Sequence, residues 1–151
     1  MNPMEIKQIT EGKRAFLPLL LLADEQESMI GKYLERGDLF ALYDDGLKCV
    51  CMVTDEGGGA FELQNIAVDP AFQRRGYGRR MVRHVLERYS GKGRSMRVGT
   101  GDSPSVLPFY ESCGFAYSHR VKDYIFEHYG PIYEDGVMLR DKVYLVKELA
   151  E

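Results

Sequence analysis

Apolar residues recur along this chain with two periods, and the points where the period changes mark its elements. Residues 5–10 read as an opening strand. Ala15, Phe16, Leu19, Leu20 and Leu22 then recur at helical spacing, and Asp24 with Glu27 three residues on forms a capping-box pattern for a second helix, which carries Met29, Ile30, Tyr33 and Leu34 on one face. Residues 38–43 and 47–54 read as two strands joined through Asp44-Asp45-Gly46, where Asp-Gly signals a hairpin. Gly57-Gly58-Gly59 marks the next turn. Met81, Val82, Val85, Leu86 and Tyr89 give an amphipathic helix running from Gly78 and ending before Gly91, its apolar stripe fit to cover a sheet. A short strand at 96–99 follows. Ser103-Pro104 reads as N-cap and first position of a helix at 105–113, with Gly114 as its stop. A strand at 115–121, a short helix at 123–129 and a closing strand at 142–148 complete the chain. No internal repeat, linker or low-complexity tract divides it.

The strand at 60–68 carries the most information. Phe61 and Leu63 share a face by alternation, yet the next apolar pair, Ile66 and Val68, sits at even positions. The phase slips by one across Gln64-Asn65. Either a β-bulge there leaves main-chain N–H and C=O groups free to pair with a ligand, or Gln64 and Asn65 face solvent at a sheet edge.

With 151 residues, 44% of them hydrophobic, the chain suffices for one core, and a single domain spanning residues 1–151 is expected. It has no run of 18 apolar residues; the longest, residues 15–23, contains Pro18 and no cleavage pattern follows a basic start, so a soluble cytoplasmic protein is expected. Cys49, Cys51 and Cys113 read as reduced thiols, and with His84, His119 and His128 they form no metal-ligand spacing.

Charge changes the picture at residues 66–81, IAVDPAFQRRGYGRRM. A short apolar run and a polar loop lead into Gln73-Arg74-Arg75-Gly76-Tyr77-Gly78, which opens the amphipathic helix. Gly76 and Gly78 let the chain turn sharply and bring main-chain N–H groups against a ligand, and the helix start adds unpaired N–H groups and a positive dipole end. Between Gln73 and Arg97 nine Lys/Arg oppose only Glu87, a local charge of +8 on a chain of net charge −3, which leaves −11 for the rest. Such a concentrated field on an acidic chain suits a small polyanion such as a pyrophosphate. A Walker loop would end in Gly-Lys-Ser/Thr, which is absent, and a dinucleotide fingerprint would place a third glycine where Met81 stands. A glycine-rich turn with solvated arginines is the plainer alternative.

What remains, Q-x-x-G-x-G between strand and helix, resembles the acetyl-CoA signature of the GCN5-related N-acetyltransferase (GNAT) family. The downstream run Phe109-Tyr110-Glu111-Ser112-Cys113-Gly114-Phe115 and the order of the elements extend the resemblance over nearly the whole chain. It implies an α/β (α+β) fold: a mixed, mostly antiparallel central sheet, splayed in the middle and flanked by helices, with coenzyme A in the split. By resemblance, Asn65, Ile66, Ala67 and Val68 pair with the pantetheine amides. The pyrophosphate sits on Gln73, Arg74, Arg75, Gly76, Tyr77, Gly78 and Arg79, and Ser103 and Ser105 complete the cofactor-binding set. Members often pair through their last strands or helices, which leaves a homodimer open.

Resemblance also assigns chemistry. Tyr110 matches the tyrosine that protonates the departing thiolate, a useful act because an aliphatic thiol has a pKa of about 8.5; the alternative is a core aromatic. Pro108, two residues earlier, removes a helical N–H and raises the question of a kink. Glu62 matches the position of an acidic base that could take the amine's proton, against the alternative of an exposed strand carboxylate. Cys113 invites an acyl-cysteine route, but nothing in the sequence activates it, and the family transfers directly in a ternary complex.

The acceptor site, by resemblance, lies between the first two helices (residues 24–33) and the segment after Phe115. Glu27, Tyr33, Tyr124 and Phe126 are the substrate candidates, in surroundings whose acids and aromatics, Tyr129 and Tyr133 among them, suit a cationic amine with an apolar body; an ordinary amphipathic helix accounts for them equally. The leading reading is an acetyl-CoA-dependent N-acetyltransferase acting on the primary amine of a small molecule. Two alternatives are a nucleic-acid-binding module using the Arg74–Arg97 basic segment and a non-catalytic acyl-CoA-binding regulator.

Overall fold

Alternation along the central strands sorts side chains onto the two faces of one sheet. In the computed structural model, which describes residues 3–24 and 26–151, the chain begins with β1 (Glu5–Ile9), a 3₁₀ turn (Lys13–Phe16), α1 (Leu17–Ala23) and α2 (Glu27–Ile30). Then come β2 (Asp38–Tyr43), β3 (Leu47–Asp55), β4 (Ala60–Val68), a 3₁₀ turn (Pro70–Phe72) and α3 (Tyr77–Tyr89). The second half runs β5 (Ser95–Gly101), α4 (Val106–Ser112), β6 (Ala116–Val121), α5 (Tyr124–Tyr129), β7 (Tyr133–Glu134), β8 (Val137–Met138) and β9 (Lys142–Glu148). Seven strands form the main sheet in the order β1-β2-β3-β4-β5-β9-β6, antiparallel throughout except between β4 and β5.

Phe40 and Leu42 of β2, Cys49, Cys51 and Val53 of β3, and Phe61 and Leu63 of β4 point to one face. There Met81, Val82, Val85 and Tyr89 of α3 and Tyr110 of α4 cover them. The intervening Leu39, Ala41, Val50 and Met52 face the other way, against Leu20 of α1 and Ile30, Tyr33 and Leu34 of the α2 region. Each fully buried large aliphatic or aromatic side chain contributes about 1.5–3 kcal/mol. The sheet is therefore held from both sides, which fixes β4 firmly enough to carry a defect.

That defect lies at Gln64. Asn65 pairs with Met52 but Leu63 pairs with Val53, so Gln64 is the extra residue of a bulge. Beyond it Ile66 and Val68 pack on the α3 side, while Asn65 and Ala67 turn inward on the other. β4 and β5 pair from Ala60↔Ser95 to Leu63↔Val98 and no further, although β4 continues to Val68 and β5 to Gly101. The sheet splays open where the bulge begins.

Several local expectations change. Ala15 and Phe16 belong to the 3₁₀ turn rather than a helix, and α1 places Pro18 in its first turn, where a missing N–H leaves no bond unmade. The Asp24–Glu27 capping box does not form: Asp24 ends α1, Gln26 is the N-cap of α2, and α2 is a single turn. α4 starts at Val106 with its N-cap at Ser105, two residues beyond the expected Ser103. Pro108 consequently lies in the first turn of α4, so no kink is needed to bring in Tyr110. Gly114, at φ 98°, follows the C-cap of α4 as expected. The β7–β8 hairpin is an addition. Its Asp135-Gly136 pair takes positive φ at both positions, as Asp45-Gly46 does between β2 and β3.

Candidate active site

The split between β4 and β5 opens a cavity of about 520 Å³ that passes through the sheet. Asn65, Ile66, Ala67 and Val68 line one wall and Gly99, Thr100 and Gly101 the other, with β9 pairing the far edge of β5. Past Leu63 the β5-facing edge of β4 has no ladder partner, so main-chain groups of residues 65–68 are available to an extended chain carrying amides. Asn65 itself is held: its Nδ2 donates to the Leu20 carbonyl at 2.9 Å and to Tyr33 Oη at 3.0 Å.

At the end of β4 the turn opens into the anion cradle. Asp69 accepts from the Ala71 N–H at 3.0 Å and Gln73 Nε2 donates to the Val68 carbonyl at 3.3 Å, which fastens the turn to the strand. Gly76, at φ 86°, is the N-cap of α3 in a left-handed conformation that a β-branched residue cannot take without strain. Gly78 lies inside α3, where a Cβ would make only ordinary contact, 3.4 Å from the Phe109 ring and 3.6 Å from Val68 Cγ2. Arg74, Arg75 and Arg80 are exposed around this helix start. An unpaired strand edge leading to a cationic helix N-terminus fits a pantetheine arm followed by a pyrophosphate.

Other residues of the expected cofactor set point elsewhere. Tyr77 Oη donates to Asp44 at 2.7 Å, and the Arg79 guanidinium binds the carbonyl and hydroxyl of Ser112 on α4; only their backbone belongs to the helix start. Ser103 is buried, with its Oγ 3.1 Å from that of Ser105, and neither serine lines the cleft. The basic segment is likewise dispersed: Arg88 reaches Gln8, and Arg97 pairs with Glu56 and Glu62, so the nine cations do not share one face.

Tyr110 lines the cleft from the α4 side, between the rings of Phe109 and Phe115. Burial pushes its phenol well above the ordinary value, which keeps the proton on oxygen and available for donation. Glu62 is placed differently. Its carboxylate is buried against the Arg97 guanidinium, a second arginine, Arg36, joins through Glu56 at 3.0 Å, and Glu62 does not line the cleft. Cys113 is half-buried and its thiol is pushed up by burial, so it gains no thiolate character.

On the opposite face of the sheet the cleft continues between the end of α1, α5 and the β7–β8 hairpin. Tyr33 and Tyr124 line it, as do Asp24, Tyr129, Glu134, Leu139 and Lys142, which were not among the substrate candidates. Asp24 accepts from Tyr129 Oη at 3.1 Å on one oxygen and faces Tyr33 Oη at 3.5 Å on the other. Two candidates fall outside. Glu27 is paired with Arg14 on the surface at 3.0 Å, and Phe126 is exposed beneath the Arg140 guanidinium, 4.8 Å from its centroid. Both lie one helical turn or less from residues that do line the cleft, which is why spacing alone did not separate them.

Comparison with known proteins agrees with this geometry. Residues 35–117 match the family model described as an acetyltransferase (GNAT) domain. The chain is 31% identical over 153 residues to the uncharacterized N-acetyltransferase YvbK of Bacillus subtilis (strain 168), covering 99% of each protein. Among solved structures it is similar to a Bacillus subtilis acetyltransferase in complex with CoA, at 31% identity and TM-score 0.90, with 97% of this chain and 99% of that one covered. It is similar too to a GNAT family acetyltransferase from Elizabethkingia anophelis with acetyl-CoA bound, at 29% identity and TM-score 0.91 over 97% and 98% of the two chains. Because the family model spans more than half of the sequence and these relatives extend the match to both ends, the chain belongs to the GNAT family of acetyltransferases, with acetyl-CoA as its cofactor.

Proposed function

We propose that the protein transfers the acetyl group of acetyl-CoA to the primary amine of a small molecule, directly, while donor and acceptor are bound together. The observation that carries this reading is the shape of the cleft. It crosses the sheet at the bulge, and on the acceptor side Ile132, Glu134 and Leu139 of the β7–β8 region line it, in a cavity of about 520 Å³ that both substrates share. A shared volume of that scale favours a small acceptor over an extended peptide.

Bound acetyl-CoA supplies a thioester whose carbonyl carbon is the electrophile. The unpaired main-chain groups of Asn65, Ile66, Ala67 and Val68 align the pantetheine arm. The N–H groups at the bulge are placed to stabilise negative charge on the carbonyl oxygen. The nitrogen bonds to the carbonyl carbon and the carbon–sulfur bond breaks. Of the two protons lost by the ammonium, one leaves to a base and the other replaces the phenolic proton that Tyr110 gives to the departing sulfur. No step uses Cys113.

The test is a panel of primary amines assayed for thiol release with acetyl-CoA, and the products analysed by mass. Amine-dependent release with a singly acetylated small product is expected. Acetylation confined to peptide or protein amino groups would overturn the small-molecule reading.

A further inference from the structure

The proton must go somewhere, and the carboxylate expected to receive it, Glu62, is held by Arg97 away from the cleft. Among the described residues two carboxylates line the cleft, Asp24 and Glu134. Glu134 is exposed on the hairpin, whereas Asp24 is half-buried where the end of α1 meets α5 and β9. We propose that Asp24 receives the ammonium of the acceptor and takes its proton, and that the acceptor is an apolar monoamine.

The surroundings of Asp24 support both parts. Tyr33, following α2, is the link to the reaction centre: its hydroxyl faces Asp24 at 3.5 Å and accepts from Asn65, the residue just after the bulge, at 3.0 Å. Asp24 thus lies two hydrogen bonds from the strand edge that aligns the thioester. From α5, Tyr129 donates at 3.1 Å, and Gln26 ties the link between α1 and α2 to α5 by donating to the His128 carbonyl at 3.1 Å. The Gln26 N–H contacts Asp24 Oδ1 at 3.3 Å, and Lys142 on β9 is the cation that faces it. Burial raises the affinity of the carboxyl for a proton; the hydrogen bonds from Gln26, Tyr129 and Tyr33 and the charge of Lys142 oppose it without cancelling it. A carboxylate so placed is a better proton acceptor than a solvated one while keeping its negative charge for binding.

Specificity follows from the remaining lining. Tyr33 and Tyr129 bring their hydroxyls to Asp24, Tyr124 is stacked on His128 at 4.0 Å with the Lys142 ammonium over its ring, and Leu22, Met29 and Leu139 add apolar surface for the body of the amine. Among the described residues the cations lining the cleft are Lys32, Lys142 and Arg36, the last of them paired with Glu56 at 3.0 Å. A second ammonium on the acceptor would meet positive charge, so a monoamine is preferred over a polyamine.

This inference rests on the proposed N-acetyltransfer and is tested with 2-phenylethylamine and spermidine as probes, with coenzyme A binding measured alongside. The wild type is expected to acetylate 2-phenylethylamine with the higher kcat/KM of the two, and calorimetry to show that amine binding the CoA-saturated protein. Asp24→Asn should weaken amine binding by about tenfold or more and lower kcat/KM by about 10²-fold near neutral pH. The deficit should narrow as pH approaches the amine's own pKa, about 10. Tyr129→Phe removes a donor that stabilises the ionised carboxylate, so the pH below which kcat/KM falls should move upward. Asp24→Asn with unchanged CoA affinity and kcat/KM within about threefold of wild type would overturn the role of Asp24. Spermidine as the better substrate would overturn the monoamine class. If CoA binds and no amine is acetylated, the N-acetyltransfer reading fails, and this inference with it.

Discussion

The two mouths of the cleft are built in opposite ways. On the cofactor side the proposed contacts are mostly main-chain: the left-handed Gly76, the start of α3 and the unpaired edge of β4 at residues 65–68. On the proposed acceptor side, Asp24, Tyr33, Tyr129 and Lys142 come from four separate segments and reach the cleft through side chains. A ligand common to a family is met by backbone geometry, which side-chain change leaves intact. A ligand particular to one protein is met by side chains, which can be exchanged without disturbing the sheet.

Substitutions at the two mouths should therefore separate. The largest effect is expected from Gly76→Val, which forces a β-branched residue to φ 86° where there is open space but no allowed conformation. Calorimetry should show CoA affinity lowered by about 10²-fold, as two or more hydrogen bonds to charged phosphate are lost, with circular dichroism near wild type. Retained affinity would refute the cradle. Tyr110→Phe should lower kcat by about 10²-fold while CoA affinity holds, because only proton donation is removed. Leu20→Ala, in the core beneath the acceptor mouth, should cost about 2–5 kcal/mol in urea unfolding. It should also raise the amine KM more than it weakens CoA binding, since α1, which Leu20 packs in place, ends at Asp24. The smallest effect on rate is expected from Glu62→Gln. Breaking its pairing with Arg97 should cost about 1–3 kcal/mol of stability, yet kcat/KM should stay within about threefold, because this carboxylate lies off the cleft.

The same contrast explains what the sequence discloses. The phase slip between Leu63 and Ile66 betrays the bulge because alternation is a local rule, and the structure confirms it at Gln64. The turn from Gln73 to Gly78 is legible for the same reason. Asp24 is not: three residues before Glu27 it satisfies a capping pattern, a local contribution of about 1 kcal/mol, but Tyr33 and Tyr129 claim its oxygens from 9 and 105 positions away. Glu62 sits at a suggestive place in the strand, and only Arg97, on a neighbouring strand, decides where its charge is spent. Tyr77 and Arg79 stand in the right turn with side chains directed to Asp44 and Ser112, a direction that spacing does not encode. The β7–β8 hairpin was within reach, since Asp135-Gly136 repeats the signal read at Asp45-Gly46.

Initial rates measured over a matrix of acetyl-CoA and 2-phenylethylamine concentrations test the central claim most directly, that donor and acceptor meet across the split sheet and react without a covalent enzyme intermediate. Intersecting double-reciprocal lines, with the N-acetylated amine as product, are the predicted result. Parallel lines, with an acetyl group trapped on Cys113 when the amine is withheld, would contradict it.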